Sequence, residues 1–84
     1  MAVRMLPREQ WEKPLRALKC EPLKGKGPLN TAEWWIAPWG FVFTVPIEEP
    51  DDRCEFWALA ALIDDINQSR PPDWPNDPPN LTIV

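Results

Sequence analysis

The sequence predicts an α+β fold: a small antiparallel β-sheet built on a tryptophan-rich hairpin (33–46), with one amphipathic helix (51–68) packed across it. Residues 33–45 contain three of the six tryptophans of the 84-residue chain. Aromatic and β-branched side chains suit a pleated, half-buried surface. Residues 55–63 are instead rich in good helix formers. The length fits a single small domain, residues 1–84.

The N-terminal third carries weaker signals. Pro7 favours a helical turn through Trp11, and Pro14 is expected to end that turn. Residues 15–20 are predicted as a strand, because six residues are too few for a stable helix. Residues 21–28 are predicted as a loop, since two glycines and two prolines interrupt a regular hydrogen-bond ladder. The Gly-Lys pair in this loop lacks the glycine spacing of a phosphate-binding loop.

The hairpin prediction depends on the residues between two short strand-like runs. Residues 34–37 and 41–45 are the predicted strands. Pro38 presets φ for the first central position of a turn, and Gly40 can adopt the positive φ that closes a three-residue loop. We therefore expect an aromatic sheet face that the rest of the chain covers.

The helix prediction covers residues 51–68. Asp51 or Asp52 is expected to cap its start, and Pro71 disfavours helical geometry in the residue before it. At 100° per residue one face gathers apolar side chains, which should pack on the hairpin and bury Phe41 between helix and sheet. These side chains are Phe56, Leu59, Leu62, Ile63 and Ile66.

The opposite helix face combines a large aromatic, small alanines and two carboxylates. Its residues are Trp57, Ala58, Ala61, Asp64, Asp65 and Gln68. Exposed acids near a helix C-terminus oppose the helix dipole by about 0.3–1 kcal/mol each. We hypothesise that a partner contacts this face, with Trp57 as the anchor. The alternative is that the C-terminal arm folds back and covers Trp57 with Trp74 or its prolines.

The C-terminal part is predicted as a proline-rich extended arm, residues 69–80. Five prolines and Trp74 fall within residues 71–79. Residues 80–84 are strand formers, which either add an edge strand to the sheet or stay free. The last three residues also fit the loose pattern of a C-terminal peptide that docks by β-augmentation.

The charge is divided unevenly along the chain. The net charge is −4, but residues 1–30 hold seven basic and three acidic side chains, whereas residues 31–84 hold two basic and ten acidic ones. Either the two parts attract each other in the folded domain, or an acidic surface faces a partner.

The available chemistry is limited. The chain has no histidine, which excludes Ser-His-Asp and Cys-His catalytic arrangements. Cys20 and Cys54 are expected to be packed thiols, because a structural zinc site needs four ligands at close spacing. We expect no catalytic residue, metal or cofactor, and therefore no enzyme. No signal peptide or membrane span is predicted, so the cytoplasm is the expected location and no membrane contact is expected.

The leading functional prediction is a non-enzymatic protein-binding domain. It would be a small acidic inhibitor or adaptor that docks on the basic surface of a larger assembly, such as a nucleic-acid-handling host-defence enzyme. The comparison is with small acidic phage and plasmid proteins, by size and charge alone. The predicted contact residues are Trp57, Asp64, Asp65, Gln68, Trp74, Glu48 and Glu49.

Two alternatives remain open from the sequence. One is a nucleic-acid-binding module that uses the basic N-terminal third with tryptophan stacking on bases. The sequence pI of about 4.6 disfavours it. The other is a metal-dependent hydrolase that uses the carboxylate clusters.

Overall fold

The computed structural model describes residues 3–26, 32–49 and 51–83, and it shows an α+β fold, as predicted. Within these residues there are two helices and five strands. In chain order they are β1 (Met5–Leu6), α1 (Arg8–Ala17), β2 (Glu21–Lys26), β3 (Ala32–Ile36), β4 (Val42–Pro46), β5 (Cys54–Glu55) and α2 (Phe56–Gln68).

The strands form two antiparallel sheets. The larger sheet has the order β2-β3-β4, and the smaller one pairs β1 with β5. In the larger sheet Trp35 lies opposite Phe43 in the register of β3 and β4. Between these two strands the Ala37 amide donates to the Phe41 carbonyl at 2.9 Å. Gly40 takes a φ of 93°, which a side chain would disfavour.

One face of the larger sheet and both helices enclose a single core. The apolar stripe of α2 is buried as predicted except for Leu62, which is partly buried; Leu59 and Ile63 are each 1% exposed. Contrary to the prediction, Phe41 is only partly buried, and its ring stacks on that of Phe43 with centroids 5.8 Å apart. The buried members of the core are Leu6, Trp11, Leu15, Leu18, Cys20, Trp35, Ala37, Phe43, Val45, Ile47, Cys54, Phe56, Leu59, Ile63 and Ile66.

The strand predicted over residues 15–20 is wrong, because most of that segment belongs to α1 or its end. Pro14 does not stop the helix and lies inside it. The missing amide leaves only one carbonyl without its helical donor. Trp11, Leu15 and Leu18 are 0%, 0% and 1% exposed. They are spaced by four and three residues, so one helical stripe is buried and compensates for the proline.

Helix α1 ends in a left-handed residue that is not glycine. Lys19 has a φ of 61°. The Cys20 amide donates to the Leu15 carbonyl at 3.0 Å, and the Lys19 amide donates to the Arg16 carbonyl at 2.9 Å. This pair of bonds is a Schellman motif, which satisfies carbonyls at the end of the helix. It also turns the chain into β2.

The loop predicted over residues 21–28 is wrong where the structure describes it, since 21–26 form β2. This strand lies at the edge of its sheet, where a proline such as Pro22 is tolerated. Residues 27 and 28 lie outside the described residues.

The predicted helix start at residue 51 is also wrong. Residues 51 and 52 form a turn and 54–55 pair with β1, so α2 begins at Phe56. Neither Asp51 nor Asp52 caps the helix. Its N-cap is Glu55, whose side chain makes no capping hydrogen bond. The Phe56 amide donates instead to the Arg4 carbonyl at 2.8 Å, which joins the first turn of α2 to the N-terminal segment.

The C-terminal part folds back onto the domain without forming an edge strand. No helix or strand occurs within residues 69–83. The Asn67 side chain bonds the backbone of Leu81, and Pro78 is buried. The predicted docking of the chain end by β-augmentation involves Val84, which lies outside the described residues.

Candidate interaction surface

Trp57 projects into solvent from the side of α2 opposite the buried stripe, here called the outer face; it comprises Trp57, Ala58, Ala61, Asp64, Asp65 and Gln68. The exposed fraction of Trp57 is 71%, the highest among the large apolar side chains of the described residues, whereas Trp11 and Trp35 are 0% exposed. The C-terminal arm does not stack on it as the alternative required. Trp74 packs edge-on against Trp39, with ring centroids 5.9 Å apart. The outer face of α2 is therefore accessible around its tryptophan.

The position of Trp57 is fixed by its neighbours. It follows Phe56, which is 8% exposed, and the two rings meet edge-on with centroids 5.3 Å apart. The Arg4 guanidinium lies 4.6 Å from the centroid of the Phe56 ring. Val3, which is 63% exposed, precedes Arg4. Because the Arg4 carbonyl bonds the first amide of α2, Val3 is also held close to the start of that helix.

The carboxylates predicted on this face are accessible. Asp64 and Asp65 are exposed, and so is Gln68. They follow Trp57 by seven to eleven residues, which at 1.5 Å per residue places them about 10–17 Å along the helix axis. No ion pair joins either aspartate to another described residue. The basic N-terminal third therefore does not neutralise them within the described residues.

The other predicted contact residues divide between two places. Glu48 and Glu49 are exposed, and Glu48 lines a depression of about 440 Å³ together with Glu55 and Ala58. Ala58 follows Trp57 in α2, so this acidic depression borders the outer face. Trp74 lies elsewhere, in a cluster at the C-terminal end of the helix.

That cluster joins the connection between β3 and β4 to the end of α2. The Trp39 indole Nε1 donates to Ser69 Oγ at 2.8 Å, and Ser69 Oγ donates to the Ile66 carbonyl at 2.6 Å. The Arg70 guanidinium lies 4.7 Å from the Trp39 ring centroid. Arg70 also donates to the Pro75 carbonyl at 3.3 Å. These contacts hold the proline-rich arm against the domain, and sequence reasoning did not find them.

Sequence reasoning also missed a polar network, here called the Arg8 clamp, which consists of Arg8, Trp11, Glu33, Trp35 and Asp52. Arg8 donates to both oxygens of Glu33 at 3.1 and 2.6 Å, and to Asp52 Oδ2 at 3.1 Å. The indole of Trp11 donates to the Asp52 carbonyl at 2.7 Å, and that of Trp35 donates to Glu33 Oε1 at 2.8 Å. The hydrogen bond with Glu33 is the main cause that raises the pKa of Arg8 above its usual value.

The Arg8 clamp shows how the two charged parts of the chain meet. Arg8, from the basic part, forms ion pairs with Glu33 and Asp52 of the acidic part. Lys19 Nζ forms another with Asp77 at 3.1 Å. Part of the opposite charge on residues 1–30 and 31–84 is therefore paired within the domain. The buried Trp11 ring is not accessible for stacking on nucleic-acid bases.

Neither thiol is placed for chemistry. Cys20 and Cys54 are free and buried, and burial raises the pKa of each to about 11. A thiol that stays protonated near neutral pH is a poor nucleophile and a poor metal ligand. Among the described residues, no group of three or more Cys, Asp or Glu side chains is arranged to hold a metal ion.

No protein-family model, curated protein or solved structure matches the chain. In the described part of the chain, neither helix combines the length and the apolar character that a membrane span requires. Of the surfaces described, the outer face of α2 is the strongest candidate for a functional site.

Proposed function

We propose that this chain is a non-enzymatic protein-binding domain and that its contact surface is the outer face of α2. The observation that carries the proposal is the 71% exposure of Trp57 on a regular helix whose opposite stripe is buried. Tryptophan has a large apolar surface and is over-represented among the residues that dominate binding energy. An exposed tryptophan on a rigid helix is a suitable anchor for a pocket on another protein.

The charge around this anchor indicates the chemistry of the partner. Asp64 and Asp65 lie on the same face, and Glu48 borders it. The partner would offer an apolar pocket for Trp57 surrounded by lysines or arginines. Carboxylates at the rim would accelerate association and select against acidic partners. A small acidic domain of this kind would act as an inhibitor or adaptor on a basic surface, including a surface that handles nucleic acid.

The test is affinity capture from extracts of the native cells, followed by binding measurements with the purified protein that is captured. The variants are Trp57→Ala, the double variant Asp64→Lys with Asp65→Lys, and Val42→Ala as a matched control. Val42 is also an exposed apolar residue, 45% exposed, but it lies in β4. We expect wild type and Val42→Ala to bind alike, Trp57→Ala to lose at least tenfold in affinity, and the double variant to associate more slowly.

Thermal unfolding of the same variants checks that the face is not core. We expect Trp57→Ala to lower the stability by less than about 1 kcal/mol, because the exposed ring loses only its edge-on contact with Phe56. A fall of ten degrees or so in melting temperature would show that Trp57 supports the fold, and the proposal would then fail. Equal binding by wild type and Trp57→Ala would refute it directly.

A further inference from the structure

The side-chain amide of Asn67 makes two hydrogen bonds with the backbone of Leu81. Asn67 Nδ2 donates to the Leu81 carbonyl at 2.7 Å, and the Leu81 amide donates to Asn67 Oδ1 at 3.3 Å. The primary amide thereby makes the same donor and acceptor pair that a neighbouring strand residue would make. The Asn67 side chain, in the last turn of α2, thus pairs with Leu81 as the backbone of a neighbouring strand would.

The residues around Leu81 follow a period of two. Leu81 and Ile83 are partly buried and pack against the core, whereas Thr82 between them is exposed. Such alternation is the pattern of an extended chain with one face on an apolar surface. We call the surface that receives Leu81 and Ile83, together with Asn67, the Asn67 groove.

We propose that the Asn67 groove is a docking site for an extended peptide with apolar side chains at alternate positions, and that residues 78–83 are its detachable resident. The natural ligand would be a partner segment of the same pattern. This site is separate from the outer face of α2 around Trp57, and the inference does not depend on the function proposed above.

The way in which Asn67 binds the resident segment supports exchange of that segment for another peptide. Both hydrogen bonds of the Asn67 side chain are made with the backbone of Leu81, so they are available to any residue except proline. The apolar contacts of positions 81 and 83 would then supply the sequence preference. This division of roles, with backbone bonds for affinity and alternate pockets for specificity, is the one used when peptides add to a sheet edge.

The connection to the resident segment also supports exchange. Residues 69–80 contain no helix or strand, so release of residues 78–83 breaks no regular hydrogen-bond ladder. The contact of Trp74 with Trp39 and the hydrogen bond from Arg70 to the Pro75 carbonyl lie before the resident segment and can keep the first part of the arm in place. Another tie of residues 69–80 is the ion pair between Lys19 and Asp77, whose side chains are 57% and 75% exposed. Exposed ion pairs of this kind contribute little. A tethered resident has a high effective concentration, so an external peptide competes well only when the resident is weakened.

The test weakens the resident within the full chain. Leu81→Asp places a charge where Leu81 packs on the core, and a fluorescent peptide with the sequence of residues 78–84 is then added. We expect anisotropy to show saturable binding to Leu81→Asp and at least tenfold weaker binding to wild type. The added change Asn67→Leu should weaken peptide binding about tenfold, since two hydrogen bonds are lost. A peptide with Thr82→Ala, at the exposed position, should bind as the parent peptide does.

Each result decides the inference. Absence of peptide binding to a folded Leu81→Asp protein overturns it, and unfolding of that variant overturns it too, because the segment would then be an integral part of the core. Amide hydrogen exchange of the wild-type chain gives an independent measurement. We expect the Leu81 amide to exchange at least a hundredfold faster than the Ile63 amide, through local opening. Equal exchange of the two amides by global unfolding would refute detachment.

Discussion

Replacement of Arg8 by alanine is the most direct test of how the N-terminal helix is attached to the domain. Arg8 in α1 bonds both oxygens of Glu33 in β3 and one oxygen of Asp52 in the turn before β5. Its guanidinium also lies 4.8 Å from the Trp11 ring centroid. The substitution therefore removes a connection among three separate segments.

The magnitude follows from how exposed these groups are. The side chains of Arg8, Glu33 and Asp52 are 35%, 13% and 31% exposed. The ion pair with Asp52 is nearly as exposed as a surface pair, so it contributes under about 1 kcal/mol. The bidentate bond to the more buried Glu33 contributes about 1–2 kcal/mol after allowance for solvent. The cation–π contact with the Trp11 ring adds about 0.5–1 kcal/mol. Together these contacts predict that Arg8→Ala lowers the free energy of unfolding by about 2–3 kcal/mol.

Urea unfolding followed by tryptophan fluorescence and circular dichroism measures this loss. The melting temperature should fall by about 10–15 °C. Arg16→Ala is the matched control, since Arg16 pairs with Glu12 at 3.1 Å on the exposed side of the same helix. That change should lose less than about 1 kcal/mol. Arg8→Lys should lie between the two, because it keeps the charge and loses the planar fork. Equal losses for Arg8→Ala and Arg16→Ala would refute the clamp as a structural link.

Three further predictions concern the core, the end of α1 and alkaline pH. Leu59→Ala should cost about 2–5 kcal/mol in urea unfolding, and a loss below about 0.5 kcal/mol would show that α2 packs by another face. Lys19→Gly should be about 1 kcal/mol more stable than Lys19→Ala, since both lose the ion pair with Asp77 but only glycine suits a φ of 61°. The Cys20 and Cys54 thiols have a pKa of about 11 when folded against 9.0 normally, so the unfolded chain releases their protons first as the pH rises. Stability should therefore fall between about pH 9 and 11, by up to about 2–3 kcal/mol per thiol. The double variant Cys20→Ala with Cys54→Ala should show a shallower decline in the same titration, and an unchanged decline would contradict the assignment.

The sequence predicted the helix whose pattern is long and regular. The stripe of Leu59, Ile63 and Ile66 follows the helical period, so its buried face was readable without a structure. The exposed position of Trp57 followed from the same period. The accessibility of Trp57 could not be predicted from the sequence, because it depended on whether the C-terminal arm folds over that side chain.

Two errors near the N-terminus came from treating proline as a stop. The spacing of Trp11, Leu15 and Leu18 was the available signal for α1, and burial of that stripe outweighs the bond that Pro14 removes. Likewise Pro22 is compatible with a strand at a sheet edge. The Arg8 clamp had no local signal at all, since its members come together only through the topology of the chain.

The members of the Arg8 clamp are remote in the sequence, and this affects the kinetics of folding. Arg8 is separated from Glu33 by 25 positions and from Asp52 by 44, and Trp11 is separated from Asp52 by 41. Contacts of such long separation are costly to form early, because the entropy of the intervening chain must be lost first. The clamp should therefore close after the transition state, so that Arg8→Ala accelerates unfolding and leaves the refolding rate nearly unchanged. The clamp would then govern how long each molecule stays folded more than how soon it folds.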